Sequence, residues 1–518
     1  MAVRAVMSTR ALLFLCSLSL AAAVQVTDFL PLLPHPYNLQ ALQATSLGDP
    51  ISILPKYVGS LIPGKEVAWN GSCFKSTTAF INLTEPVKNG SLGGGVVHVI
   101  VEGPKSYTCI DIYVFGTPYR LMWDWYFLGR HHTETVSEWH EGEREFVETR
   151  GLSVFLMPAG MLGTLKSMWD VFPLFANTGF GESANIAFLE RRMGTPFVKR
   201  TPPLSPAINA SDIRSGDFLA LSKIRGRWGG FETLQKWVTG AYAGHTAVAL
   251  RDDKDDLWVI EGGQPDEQGK EIIVSWKWDD WWQMNLKDPS DPHVALLPLR
   301  SDLRATFNET AAWEYVRSML GRPYGFHNMI FSWIDTERDN YPTPMDAHLV
   351  ASFITMWERI QPDYVANMWN EALNKRLGTD GLDLPEILVE CVRRGMSFGA
   401  LLALPEDDTW LYSDGPSVTC DVLVLMMYKR AGVFGELADK IMATEFQVRD
   451  TYMLKIYEED ETLLPSWCRG TDDPPFPYCQ LLGKYRLDLP LFNTIAPYAH
   501  MNERCPSMAP LYDRPTGC

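Results

Sequence analysis

The stretch Val418-Thr-Cys-Asp-Val-Leu-Val-Leu-Met-Met-Tyr-Lys-Arg-Ala-Gly432 decides how the rest of the chain is interpreted. A strongly apolar run that ends at a glycine suited to a left-handed cap predicts a buried helix over residues 418–431. Ser417 is a good N-cap, which would place Cys420 in the first turn. There the helix dipole and free backbone N–H groups stabilise a thiolate and could hold an oxyanion. A buried cysteine on an apolar helix is also a common structural residue, so Cys420 needs chemical partners.

Two candidate partners lie on predicted strands upstream of this helix. His245 follows Ala243 and Gly244 at the start of one strand, and these small residues would let another element approach the imidazole. The next strand ends at Glu261. If the two strands form a hairpin, Glu261 could reach one ring nitrogen of His245 and fix its tautomer. Either residue alone is more often a strand-end or surface group, so the combination carries the prediction.

The order of these features is similar to that of one enzyme family. Gly-Asp217, then Gly-His245, then a strand that ends in Glu261, then Gly-Arg-Pro-Tyr324-Gly-Phe precede Cys420 at the start of its helix. This order resembles the circularly permuted branch of the NlpC-type papain-like cysteine hydrolases, which includes relatives of lecithin–retinol acyltransferase. In ordinary papain-like enzymes the cysteine helix precedes the histidine strand, whereas in this branch it follows.

The resemblance covers about residues 213–435 and implies a role for each matched residue. Cys420 would be the nucleophile, and His245 the general base and then the general acid. Glu261 would orient the imidazole as the third member. Neither a metal nor another cofactor is implied.

Further positions concern the cleft around these three residues. Tyr324 would line or support the cleft, and we expect Tyr242, close to His245, to contact substrate. The sequence departs from the family at Asp421, where a hydroxyl residue is common, and this charge would oppose a thiolate. A long insertion at about residues 335–400 would partly cover the cleft.

The resemblance implies acyl transfer through a thioester on Cys420, usually completed by water. The first expectation for the substrate is an amide bond in a peptide or small conjugate. One alternative is a lipid ester or thioester hydrolase, or an acyltransferase, of the same fold. Another is a non-catalytic glycoprotein that binds glycan or protein, which a disulfide-bonded Cys420 would favour.

The fold class expected for the whole chain is α+β. Short β-branched and aromatic runs between about residues 67 and 160 predict an antiparallel β-sandwich, which precedes the permuted papain-like (NlpC-type) domain. A Pro- and Ser-rich stretch predicts a linker between the domains. The expected divisions are a signal peptide at 1–23, a β-rich domain at 24–198, a linker at 199–212, the papain-like domain at 213–460 and a cysteine-containing tail at 461–518.

The N-terminus predicts entry into the secretory pathway. Arg4 and Arg10 precede or flank an apolar run at Ala11–Leu20, and three alanines that end at Ala23 offer a cleavage site. This pattern is typical of a signal peptide and is too short to span a bilayer, so we expect a secreted or lysosomal protein without a transmembrane segment. Five sequons are then candidate glycan sites: Asn70, Asn82, Asn89, Asn209 and Asn308. Asn308 could equally cap a helix that begins at Glu309.

Nine cysteines, one of them inside the signal peptide, suggest disulfides in an oxidising compartment. Proximity in sequence suggests three pairs, namely Cys73 with Cys109, Cys468 with Cys479, and Cys505 with Cys518. These pairs would leave Cys391 and Cys420 as thiols.

The net charge of the chain and its remaining motifs limit the classes of molecule that it is expected to bind. A formal net charge of −17 disfavours nucleic acid and anionic membranes, which leaves a small-molecule or peptide substrate. His131, His132 and His140 lack the spacing of a zinc motif, so no metal is expected. The tryptophans at 276, 278, 281 and 282 are expected in core packing. The oligomeric state stays open.

Overall fold

The computed structural model forms two compact units. It describes residues 55–86, 91–105, 111–126, 130–157, 163, 169, 171–194, 196–204, 207–265, 269–325, 348, 351, 355, 370–402, 418–441, 443, 446–469 and 475–499. Unit 1 comprises Met1–Phe172, Met345–Ile360 and Leu384–Phe398, and unit 2 comprises Pro173–Pro344, Gln361–Asp383 and Gly399–Cys518. The predicted signal peptide, Ser417 and much of the predicted insertion lie outside the described residues. The boundary near residue 172, and the return of Leu384–Phe398 to unit 1, differ from the divisions drawn from the sequence.

Unit 1 contains two four-stranded antiparallel sheets, ordered β1-β8-β5-β6 and β2-β3-β4-β7. The strands are β1 Lys56–Leu61, β2 Val67–Trp69, β3 Phe74–Leu83, β4 Gly95–Pro104, β5 Asp111–Thr117, β6 Arg120–Tyr126, β7 His131–Val136 and β8 Leu152–Leu156. Alternate residues of both sheets, such as Leu61 and Val154 with Ala79 and Val97, share one buried core. This is the face-to-face packing that alternating strand patterns predict.

Helix α1 (Glu143–Arg150) occupies part of the segment that the sequence suggested as a strand at 146–157. Its first half is rich in Glu and Arg, which favour a helix, and Phe146 and Val147 are buried side by side. Gly151 ends the helix with φ 83°, and only then does β8 begin. In unit 1, α1 lies against the helix Leu384–Arg393, numbered α8 below.

Unit 2 is built on a seven-stranded antiparallel sheet of order β13-β12-β11-β10-β14-β15-β9. Its strands are β9 Lys199–Leu204, β10 Phe218–Ser222, β11 His245–Arg251, β12 Leu257–Pro265, β13 Glu271–Lys277, β14 His293–Leu297 and β15 Cys479–Tyr485. The chain is therefore a mixture of helices and antiparallel sheets, as expected for the α+β class.

Two segments that the sequence divisions set outside this domain supply strands to its sheet. The stretch 199–212, expected to be a linker, contains β9, the last strand of the sheet. Pro202 and Pro203 are tolerated there because an edge strand needs hydrogen bonds on one side only. The expected tail at 461–518 supplies β15, which pairs with β14 and β9 inside the sheet.

Helix α10 (Cys420–Arg430) lies against β11 and β12 and is buried along nearly its whole length. The other helices are α2 Gly179–Met193, α3 Gly226–Thr239, α4 Trp278–Lys287, α5 Ser301–Arg304, α6 Glu309–Met319, α7 Glu371–Leu377, α8 Leu384–Arg393, α9 Phe398–Leu402 and α11 Val448–Met453. The predicted helix at 418–431 thus starts two residues later, with Thr419 rather than Ser417 as its N-cap. Cys420 remains in the first turn.

The structure describes four of the five asparagines that were predicted as glycan sites. Asn70, Asn82, Asn209 and Asn308 are exposed, and Asn89 lies outside the described residues. The Asn308 side chain also caps α6 by accepting a hydrogen bond from the Ala311 N–H (3.0 Å).

Cys468 and Cys479 are joined by a disulfide with an S–S distance of 2.08 Å, as expected. Cys73 is disulfide-bonded too, whereas Cys109, Cys505 and Cys518 lie outside the described residues. No helix among the described residues is long and apolar enough to cross a bilayer.

Candidate functional site

The hairpin of β11 and β12 brings His245 and Glu261 together. In its register Ala247 lies opposite Glu261, so His245, two residues earlier, is a diagonal neighbour on the adjacent strand. His245 Nε2 lies 3.0 Å from Glu261 Oε2 in a hydrogen bond. The Glu261 side chain is 1% exposed and that of His245 is 18% exposed. The expected contact between these two residues is present.

His245 also hydrogen-bonds to Cys420. Because Nε2 is bonded to Glu261, Nδ1 is the ring nitrogen that remains for the thiol. Burial opposes the charged imidazole, but the charge of Cys420, its hydrogen bond and the Glu261 carboxylate outweigh burial and raise the pKa of His245 to about 10. The imidazole is therefore held between an acid and a thiol, in the arrangement of a cysteine–histidine–carboxylate triad.

Cys420 is the first residue of α10 and is 1% exposed. Its thiol is free of any disulfide. The Thr419 side chain makes no capping hydrogen bond to this helix. The sulfur therefore lies at the N-terminal end of α10, beside the positive end of the helix dipole.

Tyr324 lies against both polar groups of Cys420. Its hydroxyl donates to Sγ at 3.4 Å and accepts from the Cys420 N–H at 3.4 Å. Burial, together with the charges of Cys420 and Asp421, raises the pKa of Tyr324 above its usual value, so the hydroxyl stays protonated. A substrate oxygen placed beside Sγ would meet two donors, the Cys420 N–H and the Tyr324 O–H.

The Gly-Arg-Pro-Tyr-Gly segment positions this tyrosine. The Tyr324 N–H donates to the Glu271 carbonyl on β13 (3.0 Å), and the Gly325 N–H donates to the Val418 carbonyl just before α10 (3.0 Å). A Cβ at Gly325 would lie 2.9 Å from the Val418 backbone, so only glycine allows this approach. The segment therefore ties the sheet to the start of the cysteine helix.

A second glycine brings α3 to the histidine strand. A Cβ on Gly244 would lie 2.4–2.6 Å from the Glu232 side chain of α3. Glu232 Oε2 accepts from the Lys223 N–H (2.7 Å), which fixes it at the end of β10. The small residues before His245 do admit another element, and that element is α3.

Asp421 lies beside the sulfur and is buried. Its Oδ1 is 4.0 Å from Cys420 Sγ, in the position of a weak S–H acceptor. Burial raises the pKa of Asp421 to about 6, although hydrogen bonds from the backbone N–H groups of Asp421 and Val422 and the charge of His245 act in the opposite direction. The departure from the family pattern is therefore an ionisable group within the site.

Tyr242, expected to contact substrate, lines a different pocket. Its neighbours there include Ser222, Lys236 and His293, and its backbone N–H donates to the Tyr452 hydroxyl at 3.4 Å. No sequence pattern indicates that Lys236 is buried, apart from its i,i+4 spacing from Glu232. Lys236 Nζ donates to Ser222 Oγ (2.6 Å) and lies 3.4 Å from Glu232, which is the bonding of a structural lysine.

The other candidates lie elsewhere. In the part of the chain that the structure describes, no group of three or more His, Cys, Asp or Glu side chains could hold a metal ion. His131 pairs with His98 of β4, with 3.2 Å between His98 Nδ1 and His131 Nε2. Trp278 and Trp281 are buried and pack with Trp282, as core packing predicts.

The direct contact of Tyr324 with both Sγ and N–H of Cys420 was not predicted. The sequence signal for this contact is the pair of glycines in Gly321-Arg-Pro-Tyr-Gly325. They indicate a close approach of the backbone to another element, but not which element that is.

Comparisons of the chain with protein-family models, with curated proteins and with solved structures found no match.

Proposed function

We propose that this chain is a cysteine hydrolase that cleaves an amide bond in a peptide or small conjugate, with Cys420 as nucleophile and His245 as base. We also infer that unit 2 is a permuted papain-like domain, since the histidine strand precedes the cysteine helix. The proposal places the protein in the secretory pathway, secreted or lysosomal, with which the Cys468–Cys479 disulfide is compatible.

One observation carries the proposal. A single imidazole, that of His245, hydrogen-bonds to a free thiol at a helix N-terminus on one side and to a buried carboxylate on the other. The three side chains come from β11, β12 and α10, so no local structural requirement explains their convergence. Perturbed groups with specific partners of this kind cluster at functional sites.

The first half of the reaction would form the thioester. The proton of the Cys420 thiol moves to His245, and Sγ attacks the substrate carbonyl carbon. The carbonyl oxygen becomes an oxyanion between the Cys420 N–H and the Tyr324 hydroxyl. The C–N bond then breaks, and the imidazolium of His245 donates its proton to the leaving amine.

The second half would release the acyl group. Neutral His245 takes a proton from a water molecule, whose oxygen attacks the thioester carbon. The C–S bond breaks, the carboxylic acid leaves and the sulfur recovers a proton from His245. Glu261 keeps the imidazole oriented in both halves through its bond to Nε2.

The electrostatics of His245 are compatible with cleavage of an amide. An amine is a poor leaving group unless it is protonated as the C–N bond breaks. Before the attack, the charge of Cys420 and the bond to Glu261 favour the imidazolium form of His245, which is the form that donates a proton to the leaving nitrogen. A lipid ester or thioester stands as the alternative substrate class.

The rival class, a non-catalytic binding glycoprotein, would be favoured by a disulfide at Cys420. Cys420 is instead a free thiol with a histidine partner. This supports the enzyme without identifying its substrate.

The test is labelling with a panel of cysteine-directed acyl electrophiles, some peptide-based and some with lipid chains, followed by mass spectrometry of the modified peptide. We expect Cys420 to be acylated by peptide-based probes and regenerated on incubation in water. Cys391→Ala is the matched control, because it removes the other buried free thiol described in the chain. Labelling that survives Cys420→Ala but disappears in Cys391→Ala would refute the proposal, and preference for lipid probes would select the alternative substrate.

A further inference from the structure

We infer that Asp421 is a positioning residue that competes with His245 for the proton of the Cys420 thiol and so favours acidic over neutral conditions for reaction. This inference rests on the proposed function. It adds a control of the nucleophile by pH, which neither the triad nor the family resemblance supplies.

The geometry gives the thiol two acceptors. His245 hydrogen-bonds to Cys420, and Asp421 Oδ1 lies 4.0 Å from Sγ. Asp421 follows the cysteine directly, is only 4% exposed and is therefore held near the sulfur by the helix itself. An ionised carboxylate can only accept a hydrogen bond, here from the Cys420 S–H. A protonated carboxyl group carries an O–H of its own and is uncharged.

The charge of Asp421 acts against the reactive state. Two negative charges about 4 Å apart in a buried site repel strongly, so an ionised Asp421 disfavours the thiolate. It also attracts the His245 imidazolium, and we take its repulsion of the sulfur, 4.0 Å away, as the larger effect. The balance is a shift from the thiolate–imidazolium pair towards neutral thiol and imidazole.

The direction with pH follows from burial. Burial raises the pKa of Asp421 to about 6, so the carboxyl is neutral in an acidic compartment and charged near pH 7. Its repulsion is then absent at low pH and appears as the pH rises through about 6. The chain is strongly acidic overall, which agrees with such a compartment without requiring it.

The groups around Asp421 do not cancel this effect. The charged or titratable groups that act on or with it are Cys420, Tyr324 and, from β11, His245, which is itself bonded to Glu261 of β12. Helix α6 presents apolar buried residues to the core that it shares with α10. Helix α11 carries the buried pair Arg449 and Asp450, and Asp450 is used in the capping box of its own helix.

The test measures the rate of iodoacetamide alkylation of Cys420 from pH 4.5 to 8 in the full-length protein, by mass spectrometry. The ratio of the Asp421→Asn rate to the wild-type rate should rise from about one at low pH to about ten at pH 8, because only the wild type gains the repelling charge. Its midpoint should lie near pH 6, where Asp421 titrates. Asp421→Ser, which supplies the hydroxyl expected from the family pattern, should give the same rise.

The controls separate this inference from the function on which it rests. Asp256→Asn removes an exposed carboxylate of the same unit and should leave the ratio at one throughout. A flat ratio in both Asp421 variants would overturn the role of Asp421. Alkylation needs no turnover. A pH-dependent ratio in a protein without hydrolase activity would therefore support the role of Asp421 and contradict the proposed reaction.

Discussion

The two free thiols among the described residues, Cys391 and Cys420, are almost equally buried, at 0% and 1% exposure, yet their surroundings differ. Cys391 lies in the last turn of α8 of unit 1, on a helix whose buried side chains include Leu388. Burial raises the pKa of its thiol, and the charges of Arg150 and Arg394 offset this only in part. Cys420 stands at the first position of its helix, with a histidine and a tyrosine hydroxyl in contact.

The difference teaches that burial does not decide the fate of a cysteine. A thiol beyond the first turn of a helix meets backbone groups that already bond to each other, so it acts as a small apolar side chain. A thiol at the first position lies beside N–H groups that have no partner within the helix and beside the positive end of the dipole. The same residue type is thus a structural group in one unit and a candidate nucleophile in the other.

The difference between the two thiols is tested most directly by removing each sulfur in turn. Cys420→Ala should lower turnover of the amide substrate by about 10⁴-fold or more, because the acyl acceptor is gone. Cys391→Ala should change turnover less than two-fold. Steady-state rates on the substrate found by the probe panel give the measurement, and equal losses in both variants would remove the distinction.

His245→Ala should have the next largest effect. Loss of the general base should lower turnover by about 10²–10⁴-fold, and alkylation of Cys420 should become rapid only at alkaline pH. His131→Ala, which removes an exposed histidine of unit 1, is the control. Alkylation of Cys391 should follow one pH profile in all these proteins. An unchanged profile for Cys420 in His245→Ala would mean that no ion pair exists.

Tyr324→Phe tests the oxyanion donor. Removal of one donor that strengthens in the transition state should lower kcat by about 10²–10³-fold with little change in KM. The ring packing is retained, so the thermal midpoint should move little. Equal falls in kcat and in the rate of simple alkylation would point instead to a role in holding the sulfur.

Glu261→Gln should have a smaller effect. The amide can still bond to Nε2 of His245 but no longer carries charge. A hydrogen bond to a charged group contributes about 1.5–3 kcal/mol, which corresponds to about ten- to a hundred-fold in kcat/KM. The pH at which His245 titrates, followed by NMR, should fall in the variant. If His245 titrates at the same pH in the variant, a group other than Glu261 orients its imidazole.

Cys391→Ser should affect stability alone and gives the smallest change at the site. A hydroxyl placed in the apolar interior should lower the free energy of unfolding by about 1–3 kcal/mol, measured by denaturant titration. Cys420→Ser should cost less, because Tyr324 and His245 can bond to the hydroxyl. A greater loss of stability in Cys420→Ser would contradict the polar character assigned to the site.

Local patterns predicted much of the secondary structure. The apolar run after Cys420 forms α10, Asn308 caps α6, and the β-like runs of unit 1 form its strands. The errors have two causes, namely a local preference that was overlooked and a tertiary contact that no local pattern records. A helix precedes Gly151 because its polar residues favour it, and the prolines at 202 and 203 fit an edge strand that no local pattern reveals.

The sequence by itself placed Cys420 in a first helical turn, put His245 at the start of a strand and put Glu261 on the next strand, although that strand continues to Pro265. It did so because caps, apolar periodicity and β-branched runs act over a few residues. The tertiary structure alone decided that Tyr324 would touch the sulfur, that Tyr242 would lie in another pocket and that Asp421 would be buried. The physical reason is distance along the chain: contacts between residues nearly a hundred or more positions apart depend on how whole elements pack, and no local periodicity records them.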